Sequence, residues 1–158
     1  MIGLPRWTHV ALRVRDIDAS IAFYTEHTPL ELLDRREDEH GYGAWLGHAD
    51  QPDTPFILVL AQFFEGHDPY AEFEPATLGP FAHLGIELTS RAEVDARAAV
   101  AEAGGFLQQP PVDLPDPVGY VCMVTDPDGN TIEFSYGQKV FEFAREHMRP
   151  PTADPTGG

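Results

Sequence analysis

Three side chains able to hold a divalent metal stand inside short runs of alternating apolar residues. They are His9 in Trp7-Thr8-His9-Val10-Ala11-Leu12-Arg13-Val14, His83 in Phe81-Ala82-His83-Leu84-Gly85-Ile86-Glu87-Leu88, and Glu133 in Thr131-Ile132-Glu133-Phe134. Such alternation is the pattern of a half-buried strand. Two imidazoles and one carboxylate form a donor set for a divalent ion and leave positions open to substrate or water. A metal held in this way acts as a Lewis acid, and Glu133 is then a ligand and, if displaced, a general base. The same residues also fit a plainer role. A histidine on a strand is commonly a hydrogen-bonded, partly buried group, and this chain has seven histidines.

The elements that must position the trio follow in order along the chain. Residues Trp7 to Val14 read as a strand with Val10, Leu12 and Val14 on one face and His9, Ala11 and Arg13 on the other. Asp16 is placed to cap a helix in which Ile17, Ile21 and Tyr24 recur at helical spacing, and Pro29 ends it. Leu30 to Leu33 reads as a short strand, the charged stretch Asp34 to His40 as a solvated turn, and Tyr42 to Leu46 and Phe56 to Ala61 as further strands. The acidic, aromatic stretch from Gln62 to Pro80 has no regular period and reads as a linker or a loop over a cleft. Its Phe63, Phe64, Tyr70 and Phe73 could form a lid, core or dimer contact.

The pattern then repeats. Ala82 to Leu88 is a strand, Ser90-Arg91-Ala92-Glu93 is a capping box, and Gly104-Gly105 ends the helix it opens. Extended segments follow at Phe106 to Gln109, Tyr120 to Val124 and Thr131 to Tyr136, then an amphipathic helix from Val140. The arithmetic supports a duplication: His83 − His9 = 74, Asp16 + 74 = Ser90, and Glu133 − 74 = Val59. The chain is therefore expected to be α+β, with two tandem βαβββ modules forming a curved mixed sheet around a metal-binding cleft. Residues 1–137 would be a single domain (module one about 5–64, module two about 79–137), followed by a C-terminal helix at 138–149 and a flexible tail at 150–158.

Composition narrows the function classes. Ten basic against 26 acidic residues give a net charge of −16, a surface that repels nucleic acid and anionic membrane. Cys122, the one cysteine, leaves no internal disulfide and no paired-cysteine zinc site. With no apolar run near the roughly 20 residues of a membrane helix and no basic-then-apolar leader, the expectation is a soluble cytoplasmic protein.

Paired modules, the early His-x-x-Leu-x-Val, the internal His-Leu-Gly-Ile and the closing Asp126-Pro127-Asp128-Gly129-Asn130-Thr131-Ile132-Glu133-Phe134 resemble the vicinal oxygen chelate superfamily. That superfamily includes glyoxalase I, fosfomycin-resistance transferases, methylmalonyl-CoA epimerase, extradiol dioxygenases and bleomycin-resistance proteins. The resemblance covers about residues 5 to 137. It implies that His9, His83 and Glu133 are ligands of a divalent ion (Fe, Mn, Ni or Zn), that the substrate is a small oxygen-chelating molecule, and that the protein is a homodimer.

Departures from the family pattern are equally informative. The fourth ligand of glyoxalase I falls on Val59, which cannot bind a metal, and Gln62 lies on the wrong phase of its strand. Arg13 matches an arginine that contacts glutathione, whereas Phe63 replaces an asparagine with the same partner. In the extradiol dioxygenases an acid-base tyrosine falls on Met123, with Tyr120 on the opposite strand face, and a second histidine falls on Pro69, with His67 nearby. Arg13, Val59, Phe63 and Met123 are the candidate substrate-contacting positions; for Arg13 a surface salt bridge is the alternative. The leading expectation is a glyoxalase-like lyase or isomerase that is not a standard glutathione-dependent enzyme. An Fe(II) extradiol-type dioxygenase and a non-catalytic binding or resistance protein are the alternatives.

Overall fold

The computed structural model describes residues 8–50, 56–73, 77–79 and 81–147. The expected flexible tail at 150–158, the end of the expected C-terminal helix, Trp7 and most of the Asp50–Pro55 loop lie outside those residues. The elements are β1 (His9–Arg13), α1 (Ile17–His27), β2 (Glu31–Glu37), β3 (Gly41–Gly47), β4 (Ile57–Phe63), β5 (His83–Glu87), α2 (Arg91–Gly104), β6 (Leu107–Leu114), β7 (Gly119–Thr125), β8 (Thr131–Tyr136) and α3 (Val140–His147). They form two βαβββ modules and two four-stranded sheets, ordered β1-β4-β3-β2 and β5-β8-β7-β6.

The 74-residue offset holds for the outer elements: β1 begins at 9 and β5 at 83, α1 at 17 and α2 at 91, β4 at 57 and β8 at 131. The inner strands slip further, by 107 − 31 = 76 for β6 and 119 − 41 = 78 for β7. The slip accumulates before and within β6, which carries two register irregularities against β7. Pro110 and Pro111, which lack an N–H, sit in that edge strand, where proline is tolerated.

Sequence chemistry explains the helix limits. The Asp16 carboxylate accepts the N–H groups of Asp18 and Ala19, both at 3.0 Å, and the Gln62 side-chain oxygen accepts the Ile17 N–H at 2.7 Å. Gln62 thus caps α1 from the helix-facing side of β4. The Thr28 hydroxyl closes the other end on the Tyr24 carbonyl at 2.5 Å. In α2 the Ser90 hydroxyl accepts the Glu93 N–H, while Glu93 returns a bond to Thr89, one residue earlier than a standard capping box predicts. Gly105, at φ 75°, ends α2 in the left-handed conformation that glycine adopts without a Cβ penalty.

One expectation needs correction. The charged stretch after Leu33 is not a turn, because β2 continues to Glu37. It is an edge strand paired only with β3, so its outward positions are solvated and charge suits them. Arg35 lies over the Tyr42 ring at 4.7 Å and Arg36 over the Trp45 ring at 5.0 Å, so the charges ride on aromatic faces.

By packing, the chain falls into two compact units that do not follow the repeat. The first is Met1–Leu84 with Thr125–Ile132, and the second is Gly85–Val124 with Glu133–Gly158. The turn between β7 and β8 joins the first unit through buried hydrogen bonds. The Asp126 Oδ1 accepts the N–H groups of Asp128 and Asn130, and Oδ2 accepts the Tyr24 hydroxyl at 2.8 Å and the Asn130 amide at 2.9 Å. Asp128 accepts the backbone and guanidinium N–H groups of Arg15 and the Ser20 hydroxyl, and the Asn130 side-chain oxygen accepts the Leu78 N–H. The Asp-Pro-Asp-Gly-Asn motif is therefore a docking turn for α1.

Tyr24 is fully buried, and burial followed by the Asp126 charge pushes its hydroxyl far above the ordinary tyrosine range, so it remains a donor. Tyr24→Phe should lower stability by about 1.5–3 kcal/mol, the range for a hydrogen bond to a charged group. Urea unfolding measures this, and a midpoint unchanged at constant m would refute it.

Candidate functional site

Strand register decides which candidates share a face. β1 runs parallel to β4, with His9 beside Ile57, Ala11 beside Val59 and Arg13 beside Ala61. β3 runs antiparallel to β4 and sets Trp45 beside Val59 and Gly43 beside Ala61. His9, Arg13, Val59 and Phe63 therefore line one face of the first sheet, away from α1, whereas Leu12, Leu58 and Leu60 are buried on the other. Val59 stands at the third position of β4, as Glu133 does in β8.

The three metal-ligand candidates have distinct surroundings. The His9 Nδ1 lies 2.9 Å from the Thr8 hydroxyl. The His83 Nδ1 lies 2.8 Å from the Phe81 carbonyl oxygen, which only accepts, so the hydrogen is on Nδ1 and in the neutral ring the lone pair is on Nε2. A backbone carbonyl that fixes the tautomer is the usual support of a metal-binding histidine. Glu133 is buried, and its Oε1 accepts the Gln138 side-chain amide at 3.1 Å. The Gln138 N–H in turn donates to Glu87 at 3.0 Å. His9 and His83 belong to the first compact unit and Glu133 to the second. Among the described residues, no three His, Cys, Asp or Glu side chains within the chain are gathered to hold a metal ion.

Two contributors escape strand periodicity. Gln138 lies beyond Gly137, whose φ of 72° turns the chain so that the amide meets Glu133. Ser135 follows Glu133 by two residues and so shares its strand face; its buried Oγ has no hydrogen-bond partner. An orphaned buried hydroxyl costs about 1–3 kcal/mol, and a ligand oxygen would satisfy it. Only the alternation in β8 signals this residue in the sequence.

The remaining candidates separate clearly. Arg13 donates to the Asp68 carboxylate at 2.8 Å, to the Tyr70 carbonyl at 2.6 Å and to the Phe73 carbonyl. Its guanidinium also lies 5.9 Å from the Tyr70 ring centre. The residue thus clamps the 64–73 loop, and a substrate anion would compete with Asp68 for it. Phe63 meets Tyr70 edge to face at 6.5 Å. Met123 is half-buried in β7, beside Gln109 of β6. Tyr120 donates to Asp95 at 2.6 Å and lies under Arg91, and that hydrogen bond, followed by burial, raises its pKa. His67 packs against His40 rather than against a strand candidate. Cys122 is buried against α2, and burial followed by the charges of Asp95 and Glu133 pushes its thiol up to about 11, which keeps it an unreactive thiol.

Because the clamp consists of one side chain on two carbonyls and a carboxylate, Arg13→Ala should release the loop. Hydrogen exchange at residues 64–73 should quicken in the variant while α1 and β4 stay protected; unchanged exchange in the loop would contradict the clamp.

Comparison with known proteins agrees with this geometry. The sequence model described as Glyoxalase/Bleomycin resistance protein/Dioxygenase superfamily matches residues 6–134. An uncharacterized protein of Pseudomonas aeruginosa is 40% identical over 134 residues, covering 85% of this chain and 90% of that one. A probable lactoylglutathione lyase of Vibrio cholerae is 30% identical over 131 residues, 81% of this chain and 88% of its own. Among solved structures, glyoxalase I of Zea mays has a TM-score of 0.63 at 27% identity, covering 82% of this chain and 43% of that chain. The trypanothione-dependent glyoxalase I of Leishmania major has a TM-score of 0.65 at 24% identity, covering 92% and 96%, a likeness of fold alone. The chain belongs to the glyoxalase/bleomycin resistance protein/dioxygenase superfamily.

Proposed function

We propose that the protein is a metal-dependent, glyoxalase-like lyase or isomerase acting on a small oxygen-chelating substrate. His9, His83 and Glu133 would hold a divalent ion of the Fe, Mn, Ni or Zn class. The observation that carries the reading is the preparation of two of these donors, His83 with its hydrogen fixed on Nδ1 by a carbonyl and Glu133 buried and held by Gln138. The lactoylglutathione lyases among the relatives support the reaction class.

When bound, the metal supplies Lewis acidity toward a substrate oxygen. The chain's residues do the rest. Glu133 accepts a proton from the carbon next to the substrate carbonyl and returns it to the neighbouring atom, which leaves the carboxylate unchanged after each turnover. Gln138 orients that carboxylate, and Ser135 offers a buried hydroxyl toward the same strand face. The 64–73 loop, with Tyr70 against Phe63, excludes water from the face that carries His9 and Val59. Val59 contributes an apolar wall where a fourth ligand would otherwise bind, so one more position is left for substrate oxygens or water. The two compact units divide the donors between them, which supports a homodimer in which two copies complete the sites.

Protein purified without chelator should carry a stoichiometric divalent ion, and His83→Ala should lose it with the fold intact. Glu133→Gln should slow solvent-deuterium incorporation into 2-oxoaldehyde–thiol adducts by about 10²–10⁴-fold. No metal uptake, or equal exchange in wild type and Glu133→Gln, would sink the reading; ligand binding without turnover or metal would favour a binding protein. Val59→Glu supplies a fourth donor and should tighten metal binding relative to wild type, as followed by competition with a chelator. Unchanged or weaker binding would remove Val59 from the coordination sphere.

A further inference from the structure

We propose that His40 and His67 form a separate imidazole site for a divalent ion of the Zn(II) or Ni(II) class, which staples the 64–73 loop to the turn between β2 and β3. The site rests on side chains that the strand-face trio does not use.

The two Nδ1 atoms face each other at 3.4 Å, with ring centres 5.6 Å apart and planes inclined by 49°. As a direct hydrogen bond that separation is long, beyond the roughly 2.7–3.2 Å of ordinary nitrogen donors. It does match two ligands of one tetrahedral ion, because nitrogens each about 2.0–2.1 Å from zinc stand about 3.3 Å apart. The other ring nitrogen of His40 lies 3.5 Å from the Glu39 carboxylate. A carboxylate on the far nitrogen holds the hydrogen there and makes the near nitrogen a better donor.

Backbone structure fixes both rings at the start of the loop. Asp38 accepts the N–H groups of His40 and Gly41 at 2.7 and 3.1 Å. These bonds, the one to His40 foremost, hold its carboxyl below the usual range. Gly41 has no Cβ to collide with the Gln62 carbonyl, so the turn can lie directly on β4. The Phe64 N–H then donates to the His40 carbonyl at 2.8 Å and the His67 N–H to the Phe64 carbonyl at 3.0 Å. Both rings are exposed, which leaves the outer coordination positions to water. An imidazole pair selects borderline ions over Mg(II) and Ca(II), which prefer oxygen.

The test is titration of the chelator-treated full chain with Ni(II) and Zn(II), with Mg(II) as control, followed by calorimetry and hydrogen exchange. Wild type should bind one more equivalent than His40→Ala/His67→Ala, and either single variant should weaken that equivalent at least about tenfold. His83→Ala should retain it, which separates this site from the strand-face trio. Amide exchange at 64–67 should slow with Ni(II) in wild type only. Equal stoichiometry in wild type and double variant, loss through only one of the two histidines, or equal uptake of Mg(II) would each overturn the proposal. Metal-free melting temperatures that match across the variants will show that the fold is intact.

Discussion

The Asp126 carboxylate is the interaction on which the surrounding structure depends. One oxygen organises its own turn through two backbone N–H groups, and the other holds the Tyr24 hydroxyl and the Asn130 amide. A buried carboxylate is tolerable only when its lone pairs are satisfied, and here every bond comes from a donor. The turn is thereby locked to α1, and three residues after Asn130 the chain presents Glu133. The motif most diagnostic of the family thus works as a structural lock beside the chemistry, with its carboxylates engaged by α1 and by its own backbone.

Much of the site was legible because strand alternation is a strict rule. Parity alone puts His9 and Arg13 on one face and Leu12 on the other, and it sends Gln62 to the helix side, where it caps α1. The 74-residue offset works for the same reason: the outer elements begin in step, so Val59 and Glu133 share the third position of their strands. It fails for β6 and β7 because edge strands tolerate bulges, and nothing in composition fixes how many residues a bulge absorbs.

Other features were not legible, each for a physical reason. The run from Asp34 to Glu37 looks like a turn by charge, yet an edge strand can be charged on its solvated positions. Arg13 finds its carboxylate 55 residues away, and two of its partners are backbone carbonyls that carry no side-chain signature. Gln138 reaches Glu133 only because Gly137 adopts a left-handed conformation. The tertiary structure, rather than residue type, brings His67 to His40.

These differences sort the chemistry into two layers. Backbone periodicity places His9, His83 and Glu133, and it would place them equally in relatives with different reactions. What distinguishes this chain is how the space around that frame is filled. Val59 withholds a fourth donor, Asp68 occupies the guanidinium that an anionic substrate would seek, and Phe63 meets an aromatic ring instead of offering an amide. Each change makes the first-sheet face less suited to a charged, hydrogen-bonding thiol such as glutathione. A substrate that relied on Arg13 would have to break a half-buried ion pair and two carbonyl bonds before gaining its own. An apolar or weakly charged molecule with two adjacent oxygens carries no such cost, and selection among ligands follows from that difference.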